Sequence, residues 1–340
     1  MKNIYDYSQG QLMEYFQKQG EKTFRAQQIF TWLYQKKVSS FSLMTNIKKE
    51  IQDNLSENFS FAKIAIIEKK SSQQAQKYLF ELLDGHKIEA VLLKQNYGFS
   101  LCVSTQVGCN MGCLFCASGE RKKIRDLKVC EMVQQLLLIE EESKTKITHV
   151  VLMGIGEPFD NYDHVMTFID IINDPHGLKI GARHITISTC GLVDQINKFA
   201  NEEKQVNLAI SLNAPNNQLR NKLMPINKKY PLEILMSSLH NYYHKTKRRI
   251  TFEYIMLKDI NDQKEHACQL INLVKELNCY INLIPYNDND NSQFQASSIE
   301  QIKKFYDIIK QSNINVTIRK ELGANIWAAC GQLRVQNEEE

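Results

Sequence analysis

The sequence lacks the long apolar runs that a membrane protein needs. No stretch of the 340-residue chain approaches the roughly 18 apolar residues of a membrane span. The first thirty residues also lack the apolar centre of a secretion signal. We therefore expect a cytoplasmic protein with no membrane contact. Internal repeats are missing as well, and the only biased segment is an acidic tail at residues 336–340.

A strong excess of charge of one sign is also missing. The formal net charge is only +4, which permits a nucleic-acid partner without arguing strongly for one. The hydrophobic fraction of 43% and the charged fraction of 24% are typical of a globular protein. The length is sufficient for one large domain and one small one, with a sizeable core.

Cysteine, in contrast, is abundant, with nine residues in the chain. The cytosol keeps thiols reduced, so a disulfide framework is not expected. Clustered cysteines in such a protein are more often used for metal binding or catalysis.

From about residue 99 onward, short apolar or β-branched segments alternate with amphipathic helical patterns. The predicted strands are Ser100–Ser104, Thr148–Met153, His184–Ser188, Val206–Leu212, Ile250–Met256, Tyr280–Ile284 and Asn315–Arg319. This alternation predicts an α/β fold with a parallel sheet and right-handed crossovers, either an open sheet or a barrel. In both, functional loops gather at the carboxyl ends of the strands.

The segment before this region divides into two parts. Residues 1–55 are expected to form a helical accessory domain, since Ile29 and Leu33 recur at helical spacing. Its lysines indicate either the solvated face of a helical bundle or an RNA-contacting module. Residues 56–97 are expected to connect this domain to a core domain at residues 98–335. The predicted strands of the connection are Phe61–Ile67, Lys77–Leu82 and Ile88–Leu93.

Three cysteines, Cys109, Cys113 and Cys116, follow the first strand of the alternating region. Thiolates at this spacing can converge on one soft metal centre. A structural zinc site is the alternative, but such sites are almost always closed by four ligands. The next cysteine, Cys130, falls in a predicted helix, and no histidine follows at zinc-ligand spacing. An open iron–sulfur site is therefore favoured.

The Cys-x3-Cys-x2-Cys spacing, with Phe115 before the last cysteine, resembles the signature of radical S-adenosylmethionine (SAM) enzymes. The resemblance implies that these three cysteines hold a 4Fe–4S cluster whose fourth iron binds S-adenosyl-L-methionine. It also implies a radical SAM partial (β/α) barrel with a small N-terminal helical accessory domain. Gly156 and Glu157 follow the next predicted strand, where the family's loop approaches the SAM amino group. A carboxylate facing an ammonium has an evident electrostatic reason.

The resemblance narrows to one subfamily, the dual-specificity 23S rRNA and tRNA (adenine carbon-2) methyltransferases. It covers nearly the whole chain, and its most specific stretch is Ala328-Ala-Cys-Gly-Gln-Leu333. The other matching segments are Phe24–Phe30, Cys102–Cys109, Gly154–Pro158, Ile185–Gly191, Ser211–Pro215 and Asn282–Asn287.

This resemblance assigns roles to individual residues. Cys330 corresponds to the cysteine that is methylated, Cys102 to its redox partner, and Glu89 to a proton acceptor. The residues that fall where SAM is held are Ser188, Ser211, Leu212, Asn213 and Asn287. The chain departs from the family pattern at Asn213, where histidine is usual, at Cys190, where serine is common, and at Trp327. A retuned pocket is expected at Asn213, and Cys190 is expected to be an inert small residue.

The implied reaction uses two SAM molecules. Cys330 first takes a methyl group in a polar transfer, and radical chemistry started by the cluster then joins this methyl carbon to carbon 2 of an adenine. Attack by Cys102 releases the RNA and leaves a disulfide. The implied substrates are adenosine 2503 of 23S rRNA and adenosine 37 of tRNAs, and the target base must leave its stack. A flavodoxin- or ferredoxin-like electron donor and a monomeric state are also expected.

Two other functions compete with this one. A related enzyme type methylates carbon 8 of the same rRNA adenosine and confers antibiotic resistance, and it shares the cluster and both redox cysteines. Pro158, after the glutamate, favours carbon 2. A non-enzymatic, metal-stabilised RNA-binding protein is the other alternative, but it has no use for the Gly156–Glu157 loop.

Overall fold

The computed structural model describes residues 1–287, 293–320 and 322–333. The acidic tail predicted at residues 336–340 lies outside these ranges, as do residues 334–335 of the predicted core domain. In the part of the chain that is described, no helix combines the length and apolar character needed to cross a bilayer.

The N-terminal segment forms a small helical unit closed by a pair of two-residue strands. Its elements are β1 (Lys2–Asn3), α1 (Gln9–Lys18), α2 (Phe24–Phe30), α3 (Lys49–Asn58) and β2 (Phe59–Ser60), with β1 parallel to β2. Helix α1 begins with a capping box, in which Ser8 and Gln11 each accept a hydrogen bond from the other's backbone N–H. Ile29 and Leu33 are fully buried, as their helical spacing predicts.

A ten-stranded mixed sheet forms the rest of the fold, and its first strands are antiparallel neighbours. These are β3 (Ala65–Ser71), β4 (Ala75–Glu81), β5 (Lys87–Gln95) and β6 (Gly98–Cys102). Strand β3 begins later than predicted, because other groups bond the preceding backbone. Asn3 Nδ2 donates to the Ala62 carbonyl (2.7 Å), and Gln134 Oε1 accepts from the Ile64 amide (2.8 Å).

From β6 onward the sheet is parallel, as the alternating pattern predicts. The later strands are β7 (Gln106–Val107) and β8 (Arg125–Asp126), which pair only with each other, and then β9 (Ile147–Leu152), β10 (Ile185–Thr189), β11 (Asn207–Ser211), β12 (Ile250–Met256), β13 (Cys279–Pro285) and β14 (Asn315–Ile318). The helices between them are α4 (Val129–Ser143), α5 (Tyr162–Asn173), α6 (Val193–Phe199), α7 (Asn217–Leu223), α8 (Leu232–Thr246), α9 (Lys264–Val274) and α10 (Ile299–Gln311).

The sheet curls into a partial barrel. Side chains from strands far apart in the sheet order, including Leu93, Thr186, Thr251 and Thr317, line one cavity of about 730 Å³, here called the barrel cavity. The order ends at β3 on one side and at β14 on the other, so the barrel is open. Alternate residues of the same strands, such as Ile187 and Phe252, are fully buried in the apolar core. The predicted partial (β/α) barrel is confirmed.

Candidate functional site

The residues predicted to be functional gather at the carboxyl ends of the parallel strands. Cys102 is the last residue of β6, Glu157 follows β9, and Ser188 lies near the end of β10. Ser211 ends β11, and Asn287 follows β13. This is the edge where loops of (β/α) folds carry their chemistry.

The cysteine loop between β6 and α4 is held by hydrogen bonds to neighbouring segments. The Cys109 amide donates to the Arg121 carbonyl (3.0 Å), and the Leu114 amide donates to the Leu223 carbonyl (3.0 Å). A third contact reaches the end of the chain, where the Ala117 amide donates to the Gly331 carbonyl (2.8 Å). The loop is therefore held by one bond within it and by two bonds to separate parts of the sequence.

Cys109, Cys113 and Cys116 all line one cavity of about 170 Å³, here called the cysteine cavity. Other residues that line it are Gly156, Glu157, Ser188, Ser211, Asn213 and Cys330. The structure therefore brings together most of the residues that the sequence assigned to cluster and SAM binding.

The donor set of the cysteine cavity fits an iron–sulfur cluster. Burial raises the pKa of Cys109 to about 12, and it raises the pKa of Cys113 and Cys116 as well. Thiols of this kind become ligands when a metal centre displaces their protons. Within residues 1–287, 293–320 and 322–333, no three His, Cys, Asp or Glu side chains form a group that could hold a metal ion. The three thiols instead surround a space, as ligands on separate corners of a cluster do.

Glu157 is fixed beside this space. Its side chain is buried, with one carboxylate oxygen accepting from the Phe159 amide (3.0 Å) and the other from the Cys190 amide (2.8 Å). Burial raises the pKa of this carboxyl, although the hydrogen bonds oppose the increase. Each oxygen keeps a further lone pair, so the carboxylate can accept from a ligand's ammonium group.

Three other predicted SAM contacts differ in their placement. Leu212 is fully buried in the core and lies between two residues that line the cysteine cavity. The side-chain oxygen of Asn213 accepts from the Ile255 amide (3.0 Å), so this amide group is used within the protein. Asn287 lines the barrel cavity, where its Nδ2 donates to the Cys330 carbonyl (3.4 Å).

Cys330 is exposed and lines both cavities. Its thiol is close enough to Cys102 to raise the pKa of that group, although burial is the larger cause of the increase to about 12. Arg319 lies near both thiols. The pKa of its guanidinium is raised by the negative charges of Cys330, Glu253 and Cys102, with Cys330 having the largest effect. The two cysteines predicted to act together therefore interact electrostatically with each other and with Arg319.

Glu89 is buried, unlike most glutamates on strands. Its Oε1 pairs with Lys77 Nζ at 2.7 Å, and the same ammonium group donates to the Trp327 carbonyl (3.1 Å). Trp327 has a left-handed backbone (φ 56°), which is uncommon for a bulky residue. Lys77 thus links Glu89 to the segment that carries Cys330. Glu89 itself is not among the described residues that line either cavity.

Sequence patterns did not identify Glu253 and Arg319, which line both cavities. A signal for Glu253 was available, because a lone glutamate inside the apolar strand Ile250–Met256 is rarely buried without a partner. Arg319 follows its strand without any comparable pattern.

Arg220 was also missed, and it stabilises the cavity from behind. The side chain is fully buried and donates to the carbonyls of Cys190 (2.6 Å) and Leu212 (3.2 Å) and to Asn227 Oδ1 (2.9 Å). These contacts join the loops that follow β10 and β11.

Replacing Arg220 with methionine is expected to destabilise the fold by about 3 kcal/mol, because buried acceptors would lose their donors. Thermal or denaturant unfolding monitored by circular dichroism measures the change. Lys222→Met, at an exposed position of the same helix, is the matched control and should differ little from the unmodified chain. Equal stabilities for the two variants would contradict this role of Arg220.

The sequence contains two basic runs, at residues 121–125 and 245–249. They are either solvated charged surface or sites of contact with RNA phosphates. In the first, Arg125 pairs with Glu131 (2.8 Å) and Asp84 (2.6 Å), and Lys123 pairs with Asp160 (2.7 Å). These carboxylates neutralise two of the positive charges, on Lys123 and Arg125, that were expected to face RNA. In the second run, Arg249 lies 5.1 Å from the centre of the Tyr280 ring. Phosphate contact stays a prediction for both runs.

Comparisons with known proteins agree with this architecture. The family model described as ribosomal RNA large subunit methyltransferase N-terminal domain matches residues 2–61, and the model of the radical SAM superfamily matches residues 103–271. A protein of Caldanaerobacter subterraneus subsp. tengcongensis named "Probable dual-specificity RNA methyltransferase RlmN" is 52% identical over 98% of each chain. A protein of the same name from Enterococcus faecalis is 52% identical over 98% of this chain and 96% of its own. The crystal structure of a radical SAM methyltransferase from Sphaerobacter thermophilus superposes with a TM-score of 0.90 at 37% identity, covering 98% of this chain and 99% of that one.

Proposed function

This chain belongs to the RlmN family of radical SAM RNA methyltransferases, and from this premise we propose that it methylates carbon 2 of one adenine ring in 23S rRNA and in tRNAs. The proposed positions are adenosine 2503 of the rRNA and adenosine 37 of the tRNAs. The proposed route forms a methyl-cysteine on Cys330 and uses two SAM molecules.

One observation carries this proposal: Cys330 stands in the wall that the two cavities share. On one side are the proposed cluster cysteines, Gly156 and Glu157, which would hold SAM. On the other side is a space large enough for a base, since about 730 Å³ is within the range of ligand pockets. A cysteine that carries carbon from SAM to RNA needs access to both.

A 4Fe–4S cluster and SAM are the cofactors of this family, and the chain has residues to hold each. Cys109, Cys113 and Cys116 would hold the cluster, which supplies the single electron for radical chemistry when it is bound. Glu157 would accept a hydrogen bond from the SAM amino group, and the Ser188 and Ser211 hydroxyls, 3.4 Å apart, would bind its other polar groups.

The remaining roles belong to the protein's own thiols and carboxylates. Cys330 is the methyl carrier, and Cys102 is the thiol that releases the RNA by attacking the Cys330 sulfur. Glu89, whose carboxylate pairs with Lys77 (2.7 Å), is the proposed acceptor of the carbon-2 proton. A flavodoxin- or ferredoxin-like protein is proposed to deliver electrons, and the enzyme is proposed to act as a monomer.

Mass spectrometry of digested RNA tests the choice of carbon. The protein is reconstituted anaerobically with iron and sulfide, and then incubated with SAM, a reductant and either 23S rRNA fragments or tRNA. The nucleosides are compared with 2-methyladenosine and 8-methyladenosine standards. Appearance of 2-methyladenosine is the expected result. Appearance of 8-methyladenosine would leave the enzyme class intact but show the carbon-8 activity, and SAM cleavage without either product would contradict the RNA assignment.

Gly156→Ala is expected to weaken SAM binding about tenfold to a hundredfold, the effect of roughly 1–3 kcal/mol of backbone strain. Gly156 has φ 109°, and an added Cβ would lie 2.6 Å from Gln106 Cβ. Gln106 holds the Glu157 amide (2.9 Å), so the clash displaces the carboxylate. Calorimetric titration of the reconstituted protein with SAM measures the affinity. Gly181→Ala, where an added Cβ meets no atom within 4 Å, should bind SAM normally.

A further inference from the structure

One carboxylate oxygen of Glu253 receives no hydrogen bond from the part of the chain that the structure describes. The side chain lies inside β12 and is 6% exposed, and its Oε1 accepts from Asn282 Nδ2 (2.9 Å). Among the described residues, Oε2 receives no hydrogen bond. Arg319 Nη1 is 3.7 Å from it, close enough for an ion pair but too far for a hydrogen bond. A buried acceptor left unpaired is costly, so this oxygen is suited to accept from a ligand.

The position of Glu253 between the two cavities limits the kinds of ligand that can reach its Oε2. Glu253 and Arg319 are among the few residues that line both the cysteine cavity and the barrel cavity, and Cys330 is another. The barrel cavity has no described lining residue from the cysteine loop. A ligand that meets Glu253 from the barrel side is therefore near Cys330 and away from the cluster cysteines, Gly156 and Glu157. Of the residues assigned to SAM, Asn287 also lines this side.

Glu253 and Arg319 place a carboxylate acceptor and a cationic guanidinium donor side by side. The amino-bearing edge of adenine is complementary to this arrangement, because the amino group donates and the flanking ring nitrogens N1 and N7 accept. Guanine would place a carbonyl oxygen where adenine has its amino group, and two acceptors would then face each other. A site built from a carboxylate and a guanidinium therefore selects adenine over guanine.

We propose that Glu253 and Arg319 form the recognition site for the target adenine. Glu253 Oε2 accepts a hydrogen bond from the exocyclic amino group, and Arg319 donates to a neighbouring ring nitrogen. The inference rests on the proposed function, and it makes Glu253 a specificity-determining residue that takes no part in the bond-making steps. SAM also contains an adenine ring with the same edge, so the experiment has separate arms for the RNA and for SAM.

The first arm compares two RNA hairpins that differ at the target nucleotide, one with adenosine and one with purine riboside, which lacks the amino group. The unmodified enzyme is expected to prefer adenosine, in kcat/KM, by about tenfold to a hundredfold, the range for a hydrogen bond to a charged group. Glu253→Ala should react slowly with both hairpins and lose the preference. Glu253→Gln should also lower it, because its single oxygen cannot accept from both Asn282 Nδ2 and the base, and its NH2 group is a donor. Adenine and purine also differ in intrinsic reactivity. This difference is the same for every variant, so it does not affect the change in preference from one variant to another.

Glu140→Gln is the matched control. Glu140 is buried and pairs with Lys37 (2.8 Å) and Lys146 (3.2 Å) at a distance from both cavities, so its variant should keep the full preference for adenosine. An unchanged preference in Glu253→Ala would overturn the proposal, whatever its effect on overall rate.

The second arm measures binding without the reaction. Equilibrium dialysis of the reconstituted protein with SAM alone should give the same affinity for Glu253→Ala as for the unmodified chain. A tenfold loss, with the RNA preference intact, would assign Glu253 to the SAM adenine and overturn the proposal. Fluorescence anisotropy with the two hairpins should show tighter binding of adenosine, and this difference should vanish in Glu253→Ala. If the unmodified enzyme methylates neither hairpin, the proposed function fails, while the anisotropy still tests the recognition site.

Discussion

Cys330→Ala is expected to eliminate the methylated nucleoside, reducing product formation at least roughly a thousandfold, as removal of a covalent nucleophile does in other enzymes. The reason is that Cys330 is the described cysteine that lines both cavities. No other described thiol is placed to receive a methyl group on one side and present it on the other. The measurement is mass spectrometry of RNA digested after reaction with the reconstituted variant.

Cys268→Ala provides the matched control, since Cys268 is also exposed but lies on α9, away from both cavities. It should form product at the normal rate. Iron and sulfide analysis of Cys330→Ala should give the same content as the unmodified protein, because Cys330 is not one of the three proposed cluster ligands. Normal methylation by Cys330→Ala would disprove the methyl-cysteine route.

Cys102→Ala is expected to have the second large effect, which is accumulation of RNA covalently attached to the protein. In the proposed route the methyl carbon joins Cys330 to the base, and release requires attack by a second thiol on the Cys330 sulfur. Cys102 is near enough to Cys330 for their charges to interact. Labelled RNA should migrate with the protein on a denaturing gel, and either protease or nuclease should abolish the band.

Two variants complete this experiment. Cys279→Ala removes a buried thiol elsewhere in the core and should release RNA normally. Cys102→Ala combined with Cys330→Ala should give no attached RNA, since the attachment point is missing. Free methylated RNA from Cys102→Ala at the normal rate would show that a different group releases the product.

The release step should also respond to pH. Burial raises the pKa of Cys102 to about 12, so this thiol is almost entirely protonated at neutral pH. The attacking form is the thiolate, and its fraction increases about tenfold per pH unit below the pKa. Release of attached RNA in the unmodified enzyme should therefore become faster as the pH rises from 7 to 9, as a rapid-quench time course would measure. A release rate independent of pH would show that proton loss from Cys102 does not limit this step.

Local features of the fold and site were predictable from sequence. The cysteine spacing and the Gly156–Glu157 loop are short motifs, and each lies directly after a strand whose apolar run was recognisable. The strand predicted at Ile250–Met256 agrees with β12 at both ends. Parallel strands are buried on both faces, so their apolar runs give a clear signal.

Features that depend on distant contacts were not predictable. Glu253 lies on β12 and Arg319 directly follows β14, two strands separated by β13 in the sheet. Only the curvature of the partial barrel brings them to the same wall. Strand β3 was misplaced because its polar residues Glu68–Ser71 resemble a loop, although they pair along β4. Cys330 could be assigned only by resemblance, since a single cysteine in a loop carries no pattern of its own.

The hydrogen bonds between the cysteine loop and the end of the chain have a consequence for biosynthesis. Ala117 and Ser118 bond the carbonyls of Gly331 (2.8 Å) and Leu333 (2.6 Å), so these contacts form only after residues 331 and 333 have been synthesised. Domains synthesised from the N-terminus can acquire structure before the chain is complete. The three proposed cluster ligands and the Gly156–Glu157 loop are synthesised long before Cys330 is. The segment that carries Cys330 is thus made after the cysteine loop, and the loop gains its full set of described contacts only once residues 331 and 333 are present.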